Sequence, residues 1–205
     1  MAHLDEIMRA VHPLGADPPG PEWNLAELDG LLETRPPLHA AVLVGLVERA
    51  DGLNVLLTRR NDALRLHAGQ VSLPGGRIDP EDAGVVDAAL REAREEVGLS
   101  PAQARPLGFL DPVRTVTGYR VVPLIASLDP GFVPRPDPAE VAAVFEVPLS
   151  FLLARQHLRE LQVEFGGRPR LVLEYAPYPG APEQRIWGVT ASILYNLRQR
   201  LEALR

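Results

Sequence analysis

Three glutamates in the stretch REAREEVGL, at residues 91–99, constrain the fold and the function of this chain more than any other feature. Glu92, Glu95 and Glu96 are spaced i, i+3 and i+4, so a helix through them would place all three carboxylates on one face. Like charges at that spacing destabilise a helix by roughly 0.2–0.5 kcal/mol per pair. A hard divalent cation such as Mg²⁺, which binds oxygen ligands, would turn this repulsion into attraction. The alternative is an acidic face in contact with solvent, which is the commoner reading of a charge run.

The residues around the glutamates predict where this helix begins and ends. Asp79 can serve as its N-cap and Pro80 fits the first helical position. Gly98 is placed to end the helix in a left-handed conformation. Gly84 leaves open whether the first turn is separate from the helix proper. A buried stripe at helical spacing is expected from Val86, Leu90, Ala93 and Val97.

Taken with a glycine upstream, the same stretch resembles the Nudix box, G-x5-E-x7-R-E-U-x-E-E-x-G-U, in which U is a bulky aliphatic residue. Residues 91–99 match every fixed position of its second half, with the small Ala93 at the first U. The distance from Gly76 to Arg91 is one residue longer than in the pattern, and the acid at mid-box is Asp82 rather than glutamate. One inserted residue before the helix would absorb the difference, and the role of Asp82 stays open.

A second motif directly precedes the box. Residues 56–60 read LLTRR and residues 64–76 read LRLHAGQVSLPGG, which is similar to the signature of the coenzyme A pyrophosphatase branch of Nudix hydrolases. The segments PAEV at 138–141, VPL at 147–149 and IWGVT at 186–190 also resemble that branch. The resemblance implies cleavage of coenzyme A, or of its acyl or oxidised forms, to 3′,5′-ADP and 4′-phosphopantetheine, with Mg²⁺ or Mn²⁺ as the cofactor.

The resemblance also implies roles for the acidic residues and for one arginine. Glu92 and Glu96 would be metal ligands, and Glu95 would join a second metal or act as the catalytic base. Arg91 would pair with Glu95 at i+4 and orient the cluster. Glu140, in the segment that leads into a strand, is either a base supplied from outside the helix or an exposed loop acid.

The candidates for substrate binding are two glycines and three arginines. Gly75 and Gly76, in a predicted turn, would let the backbone approach the helix start and the substrate phosphates closely. Arg59, Arg60 and Arg65 are candidates for holding phosphates, including the ribose 3′-phosphate that distinguishes coenzyme A, and one or two of them would be surface residues.

Composition narrows the class of protein. With 205 residues, a single domain with a substantial core is expected. The formal net charge of −6 argues against a general nucleic-acid-binding protein. All 21 basic residues are arginines, so a side-chain phosphate clamp has to use arginine. The lack of cysteine excludes disulfides and thiol chemistry. With no signal peptide and no membrane-spanning run in the sequence, a cytoplasmic enzyme that binds a small molecule is expected, and a homodimer stays open.

The order of predicted elements is of the α/β class. Residues 1–36 are expected to form a helical N-terminal extension, with helices at 4–11 and 24–33, and residues 37–205 the Nudix core. In the core we expect strands at 40–48, 54–59, 104–110 and 119–127, a short helix at 148–156, a hairpin at 158–165 and 170–175, and a last helix at 189–204. This order fits the α/β/α sandwich with a mixed β-sheet that the resemblance implies.

Two other functions stay open on the sequence alone. One is a pyrophosphatase acting on ADP-ribose or on similar dinucleotides. The other is a Nudix-fold binding module that senses a nucleotide without cleaving it. The complete R-E-x-x-E-E cluster disfavours the binding module, because sensing would not require three aligned glutamates.

Overall fold

The computed structural model of the protein describes residues 3–15, 20–28, 36–165 and 167–205. Within these residues the strands, numbered along the chain, are β1 (Leu38–Arg49), β2 (Gly52–Arg60), β3 (Val71–Ser72), β4 (Gly75–Arg77), β5 (Ala104–Phe109), β6 (Val113–Arg114), β7 (Tyr119–Leu128), β8 (Val141–Pro148), β9 (Leu158–Phe165) and β10 (Arg168–Tyr175). The helices are α1 (Leu4–Ala10), α2 (Val85–Val97), α3 (Leu149–Leu153) and α4 (Gly188–Glu202). The α/β class is confirmed.

Strand β1 is central to an eight-stranded sheet. It pairs in parallel with β7, from Leu38 opposite Tyr119 to Val47 opposite Leu128, and antiparallel with β2 and β4. Strands β5 and β6 pair with β7, strands β3 and β8 pair with β2, and β9 and β10 form a separate hairpin. A parallel pair needs a long connection, and the chain between β1 and β7 includes α2. The predicted mixed sheet is therefore confirmed.

Alternating side chains of the sheet contribute to two hydrophobic cores. Along β2, Leu56 belongs to one core while Val55 and Leu57 belong to the other, and all three are completely buried. Helix α2 packs in the Leu56 core, and α1 and α4 pack in the core on the opposite face. These layers confirm the α/β/α sandwich.

Helix α2 begins later than the sequence predicts. Its N-cap is Gly84, at φ 142°, so the prediction of Asp79 as N-cap is wrong. Residues 79–82 form a separate turn, in which the Asp82 N–H donates to the Asp79 carbonyl over 3.1 Å. The turn is fixed because the Arg91 guanidinium holds the Asp82 carboxylate through two hydrogen bonds of 2.9 Å. Gly98 ends α2 in the left-handed conformation, as predicted.

The buried face of α2 agrees with the predicted stripe only in part. Ala93 and Val97 are completely buried, whereas Val86 and Leu90 are only partly buried. The alanine pair at residues 88–89 is completely buried in their place. Alanine side chains leave the helix backbone close to the sheet, so the glutamates of α2 come close to β4.

The N-terminal region is less helical than expected. The helix predicted at residues 4–11 is present as α1. The helix predicted at 24–33 is wrong over its described part, which contains only a 3-10 turn at Leu25–Leu28, and residues 29–33 lie outside the described residues. Asn24 pairs instead with the backbone of Arg114 in β6, through hydrogen bonds of 2.9 and 2.8 Å. The division of the chain into an N-terminal extension of residues 1–36 and a core of residues 37–205 stays a prediction. No helix among the described residues is long and apolar enough to span a bilayer.

Candidate active site

Gly75 and Gly76, which were expected in a turn, belong to strand β4 instead, and neither has room for a side chain. A Cβ on Gly75 would lie 2.4 Å from the Ala41 carbonyl oxygen. A Cβ on Gly76 would lie 2.5 Å from Glu92 Oε1. Glycine at both positions thus allows β4 to pair with β1 and allows the Glu92 carboxylate to lie directly against the β4 backbone.

The three glutamates of α2 differ in exposure, although they were expected to share one face. The exposed fraction of the side chain is 3% for Glu96, 16% for Glu92 and 51% for Glu95. Glu92 and Glu96, which are one helical turn apart, are directed toward the protein, and Glu95 is directed toward solvent. The site therefore has one buried carboxylate, Glu96, and one partly buried carboxylate, Glu92, with a third carboxylate at its rim.

The pKa of Glu96 is strongly raised. Burial is the largest cause of its rise to about 8, and the negative charges of Glu92 and Glu140 contribute to the same rise. The Arg60 guanidinium, with Nη1 3.8 Å from Glu96 Oε1, and the Gly75 N–H act in the opposite direction. The second oxygen, Oε2, is buried and has no hydrogen-bond partner in the described part of the chain. Such an oxygen is a donor atom available to a cation.

Glu140 is brought to the same carboxylates by the loop that precedes β8. The charge of Glu140 raises the pKa of Glu92, after burial as the larger cause, so the two carboxylates lie within electrostatic reach. Asn61, directly after β2, fixes this loop: its N–H donates to the Glu140 carbonyl over 2.8 Å and its Nδ2 donates to the Pro138 carbonyl over 2.6 Å. The sequence motifs did not single out Asn61, although Asn61-Asp62 after a strand is a turn signal.

Arg91 connects the acids of the box. Besides its two bonds to Asp82, its Nη1 donates to Glu92 Oε1 over 2.9 Å and to Glu95 Oε2 over 3.1 Å. Its Nη2 also donates to the Arg77 carbonyl of β4 over 3.1 Å. The hydrogen bonds from Arg91 lower the pKa of Asp82 and so keep it charged. The mid-box acid, whose role the sequence left open, thus anchors the arginine that orients Glu92 and Glu95.

The three candidate arginines lie in different surroundings. Arg60 points to Glu96, as described above. Arg59, in β2, forms an ion pair with Asp62 of the loop that follows this strand, at 2.8 Å. Arg65 is exposed on the loop between β2 and β3. The structure therefore brings Arg60 to the carboxylates of α2, whereas Arg59 is paired with Asp62 and Arg65 is exposed on the loop after β2.

The donors of the site fit a small divalent cation better than a large one. Among the described residues, no group of three or more acidic or histidine side chains is arranged to hold a metal ion. Mg²⁺ does not require such a group, because it usually binds one or two carboxylates and keeps several waters. Glu92, which lies against β4, and Glu96, whose Oε2 is unpartnered in the described part of the chain, provide a pair of that kind.

Comparisons with known proteins agree with this geometry. A family model described as the NUDIX domain matches residues 37–165. A Photorhabdus laumondii protein named "Uncharacterized Nudix hydrolase NudL" is 41% identical over 164 residues, which cover 80% of this chain and 85% of that protein. The protein of the same name from Escherichia coli O1:K1 / APEC is 41% identical over 160 residues, covering 78% and 80%.

Two solved structures are similar over a smaller part. A Caenorhabditis elegans Ap4A hydrolase binary complex has 21% identity and a TM-score of 0.48, covering 54% of this chain and 80% of that chain. The NUDIX domain of Shewanella oneidensis NrtR, complexed with ADP ribose, has 24% identity and a TM-score of 0.44, covering 63% and 84%.

An α/β/α sandwich with a mixed sheet, and a helix that brings two carboxylates toward a glycine-containing strand, define the structural class of the chain. The domain match and the relatives identify the family. The chain belongs to the Nudix hydrolases, which hydrolyse pyrophosphate bonds.

Proposed function

We propose that this protein is a Mg²⁺- or Mn²⁺-dependent hydrolase that cleaves the diphosphate of coenzyme A, or of its acyl or oxidised forms, to 3′,5′-ADP and 4′-phosphopantetheine. The observation that carries the catalytic part is the pair of the partly buried Glu92 and the buried Glu96, with one oxygen of Glu96 unpartnered in the described part of the chain. The substrate part is supported by the motif at residues 56–76, which contains Arg59, Arg60 and Arg65 and runs directly into β4.

In the proposed mechanism Glu92 and Glu96 would hold the cation, and Glu95 would hold a second cation or act as a base. When bound, the cation would neutralise phosphate charge and polarise the phosphorus–oxygen bonds. Arg91, fixed by Asp82, keeps Glu92 and Glu95 in place.

The remaining residues of the site would position the substrate and the attacking water. Gly75 and Gly76 let the diphosphate approach the β4 backbone, and Arg60 donates to it from the side of Glu96. The base that accepts the proton of the attacking water is Glu140 or Glu95, acting as a charged carboxylate.

One assay tests catalysis against nucleotide sensing. We expect the purified protein to release 3′,5′-ADP from coenzyme A with Mg²⁺ or Mn²⁺ and not with EDTA. We expect Glu92→Gln and Glu96→Gln each to lose at least about a hundredfold in kcat, because each loses a charged oxygen ligand while the fold is kept. Glu81→Gln, an exposed acid in the turn before α2, is the matched control and should keep full activity. Binding of coenzyme A without any product under all metal conditions would identify a sensing module instead.

A further inference from the structure

Two arginines lie directly opposite each other in the sheet, away from the carboxylates. Arg114 of β6 is the antiparallel partner of Arg120 of β7. Like charges at directly opposed positions destabilise a sheet, so this pairing costs stability unless an anion lies between the two guanidinium groups. We call Arg114 and Arg120 the arginine clamp.

The arginine clamp faces the same side of the sheet as α2. Arg120 alternates with Val122 and Leu124, which pack in the α2 core, whereas Val113, the neighbour of Arg114, packs in the opposite core. In the sheet, Gly76 pairs with Ala41, which in turn pairs with Val122. With strands about 4.8 Å apart and about 3.3 Å per residue, the Cα atom of Arg120 lies roughly 12 Å from that of Gly76.

The anion between the two arginines is the carboxylate of Glu22, which binds them loosely. Glu22 Oε1 is 3.8 Å from Arg114 Nη1 and 3.9 Å from Arg120 Nε, beyond hydrogen-bond distance in both cases. Only 7% of the Arg114 side chain is exposed, and its Nε has no hydrogen-bond partner in the described part of the chain. The cluster has two positive charges and one negative charge, so it can take a further negative charge.

Other residues attach the segment around Glu22 to β6. Asn24 pairs with the Arg114 backbone at 2.9 and 2.8 Å, and the Trp23 N–H donates to the Pro112 carbonyl over 3.1 Å. Glu22 is therefore not needed to hold this segment. Its carboxylate occupies the position that a better-fitting oxyanion would take between two guanidinium groups.

We propose that the arginine clamp is an oxyanion subsite for a phosphate monoester, with Glu22 as an internal competitor that moves aside when the phosphate binds. The guanidinium group is planar and presents paired donors, which suits phosphate better than a single carboxylate held at 3.8–3.9 Å. The phosphate is either free inorganic phosphate or a terminal phosphate of the nucleotide substrate. The second source rests on the proposed function, in which the substrate has a phosphate monoester remote from the diphosphate.

Metal-free protein in EDTA tests the subsite without catalysis. The probes are inorganic phosphate, AMP and adenosine 3′,5′-bisphosphate, titrated calorimetrically at constant ionic strength. We expect the wild type to bind the bisphosphate about tenfold more tightly than AMP, because one additional charge-assisted contact is made. Arg120→Gln should remove this difference, and Glu22→Gln should tighten the binding of inorganic phosphate and of the bisphosphate by several-fold.

Arg105→Gln is the matched control, because it removes the same charge from an exposed residue of β5 in the same sheet. Retention of the difference in Arg120→Gln, or its loss in Arg105→Gln, would overturn the proposal. Weaker or unchanged phosphate binding in Glu22→Gln would also overturn it, because Glu22 would then be a structural partner and not a competitor. Tighter phosphate binding in Glu22→Gln without any preference for the bisphosphate would support the subsite with free phosphate as its ligand. Absence of coenzyme A cleavage would contradict the proposed function alone, since none of these titrations depends on turnover.

Discussion

Glu96 shows how burial and charge act on one residue of the site. Its carboxylate is buried, is repelled by Glu92 and Glu140, and is only partly compensated by Arg60 at 3.8 Å. A carboxylate in such surroundings is costly to keep charged without a cation. This cost is consistent with Glu96 as a metal ligand, because a bound cation would remove the repulsion from Glu92 and Glu140 and would contact the unpartnered oxygen.

The raised pKa of Glu96 predicts how the stability of the metal-free protein changes with pH. In the folded protein Glu96 keeps its proton up to about pH 8, whereas in the unfolded chain it loses the proton near its ordinary value of 4.5. Between these two values the folded state binds more protons, so the free energy of unfolding falls as pH rises, by up to about 1.4 kcal/mol per pH unit from this group. Urea denaturation in EDTA at pH 5, 6, 7 and 8 measures the slope.

Glu96→Gln is the comparison for this measurement, because glutamine keeps the shape of the side chain but does not titrate. We expect its stability to fall less steeply than that of the wild type between pH 5 and pH 8. Equal slopes for the two proteins would show that Glu96 titrates near its ordinary value, and the raised pKa would be wrong.

At the scale of elements, the site is the junction of α2 with β4. The close approach of the two elements depends on the buried alanines of α2 and on the glycines of β4, which leave room for the Glu92 carboxylate. We therefore expect Gly76→Ala to push Glu92 away and to lower kcat/KM for pyrophosphate hydrolysis by at least about tenfold, in the range that follows from misplaced catalytic groups. Steady-state kinetics on the purified variant measures the loss.

The control for Gly76→Ala is Gly15→Ala. A Cβ at Gly15 would meet no atom within 4 Å, so this change should leave both stability and kcat/KM as they are. Wild-type activity in Gly76→Ala would mean that the Glu92 carboxylate does not need its place on β4.

The elements that could be predicted from the sequence are those with a local signal. Helix α2 up to its glycine cap, and the long strands β1, β2 and β7, follow from periodicity and from turn residues. The start of α2 could not be predicted from the sequence, because it depends on the contact of Asp82 with Arg91. Arg91 lies about two turns inside the helix. Strand β4 is too short to show a period, and the approach of Arg60 to Glu96 joins two elements that are distant in sequence.

At the scale of the whole molecule, the sandwich holds together a site whose residues come from separate parts of the chain. Glu92 and Glu96 belong to α2, Arg60 to the end of β2 and Glu140 to the loop before β8. The extent of the domain and a homodimer stay predictions. Because a cation would bind these residues only when the chain is folded, cation binding and global stability are linked.

This linkage predicts that Mg²⁺ or Mn²⁺ stabilises the whole protein. At a concentration a hundred times its Kd, a cation adds about 2.7 kcal/mol, which for a chain of this size corresponds to a Tm rise of about 5–10 °C. Differential scanning calorimetry with and without millimolar Mg²⁺ or Mn²⁺ measures the shift. Glu96→Gln should show a much smaller rise, and a wild-type Tm that does not respond to either cation would contradict a preformed site.

The substrate class can be tested by comparing whole substrates that differ in one group. Coenzyme A has a 3′-phosphate that dephospho-coenzyme A lacks, and in the proposed function arginine side chains bind phosphates of the substrate. A charge-assisted contact is worth about 1.5–3 kcal/mol, so we expect kcat/KM for dephospho-coenzyme A to be about ten- to a hundredfold lower. Measurement of kcat/KM for coenzyme A, dephospho-coenzyme A and ADP-ribose under one metal condition gives the order of substrate preference.

Equal kcat/KM values for coenzyme A and dephospho-coenzyme A would exclude a 3′-phosphate contact in the transition state, but would leave the proposed pyrophosphatase activity in place. Faster cleavage of ADP-ribose than of both would instead identify an ADP-ribose pyrophosphatase.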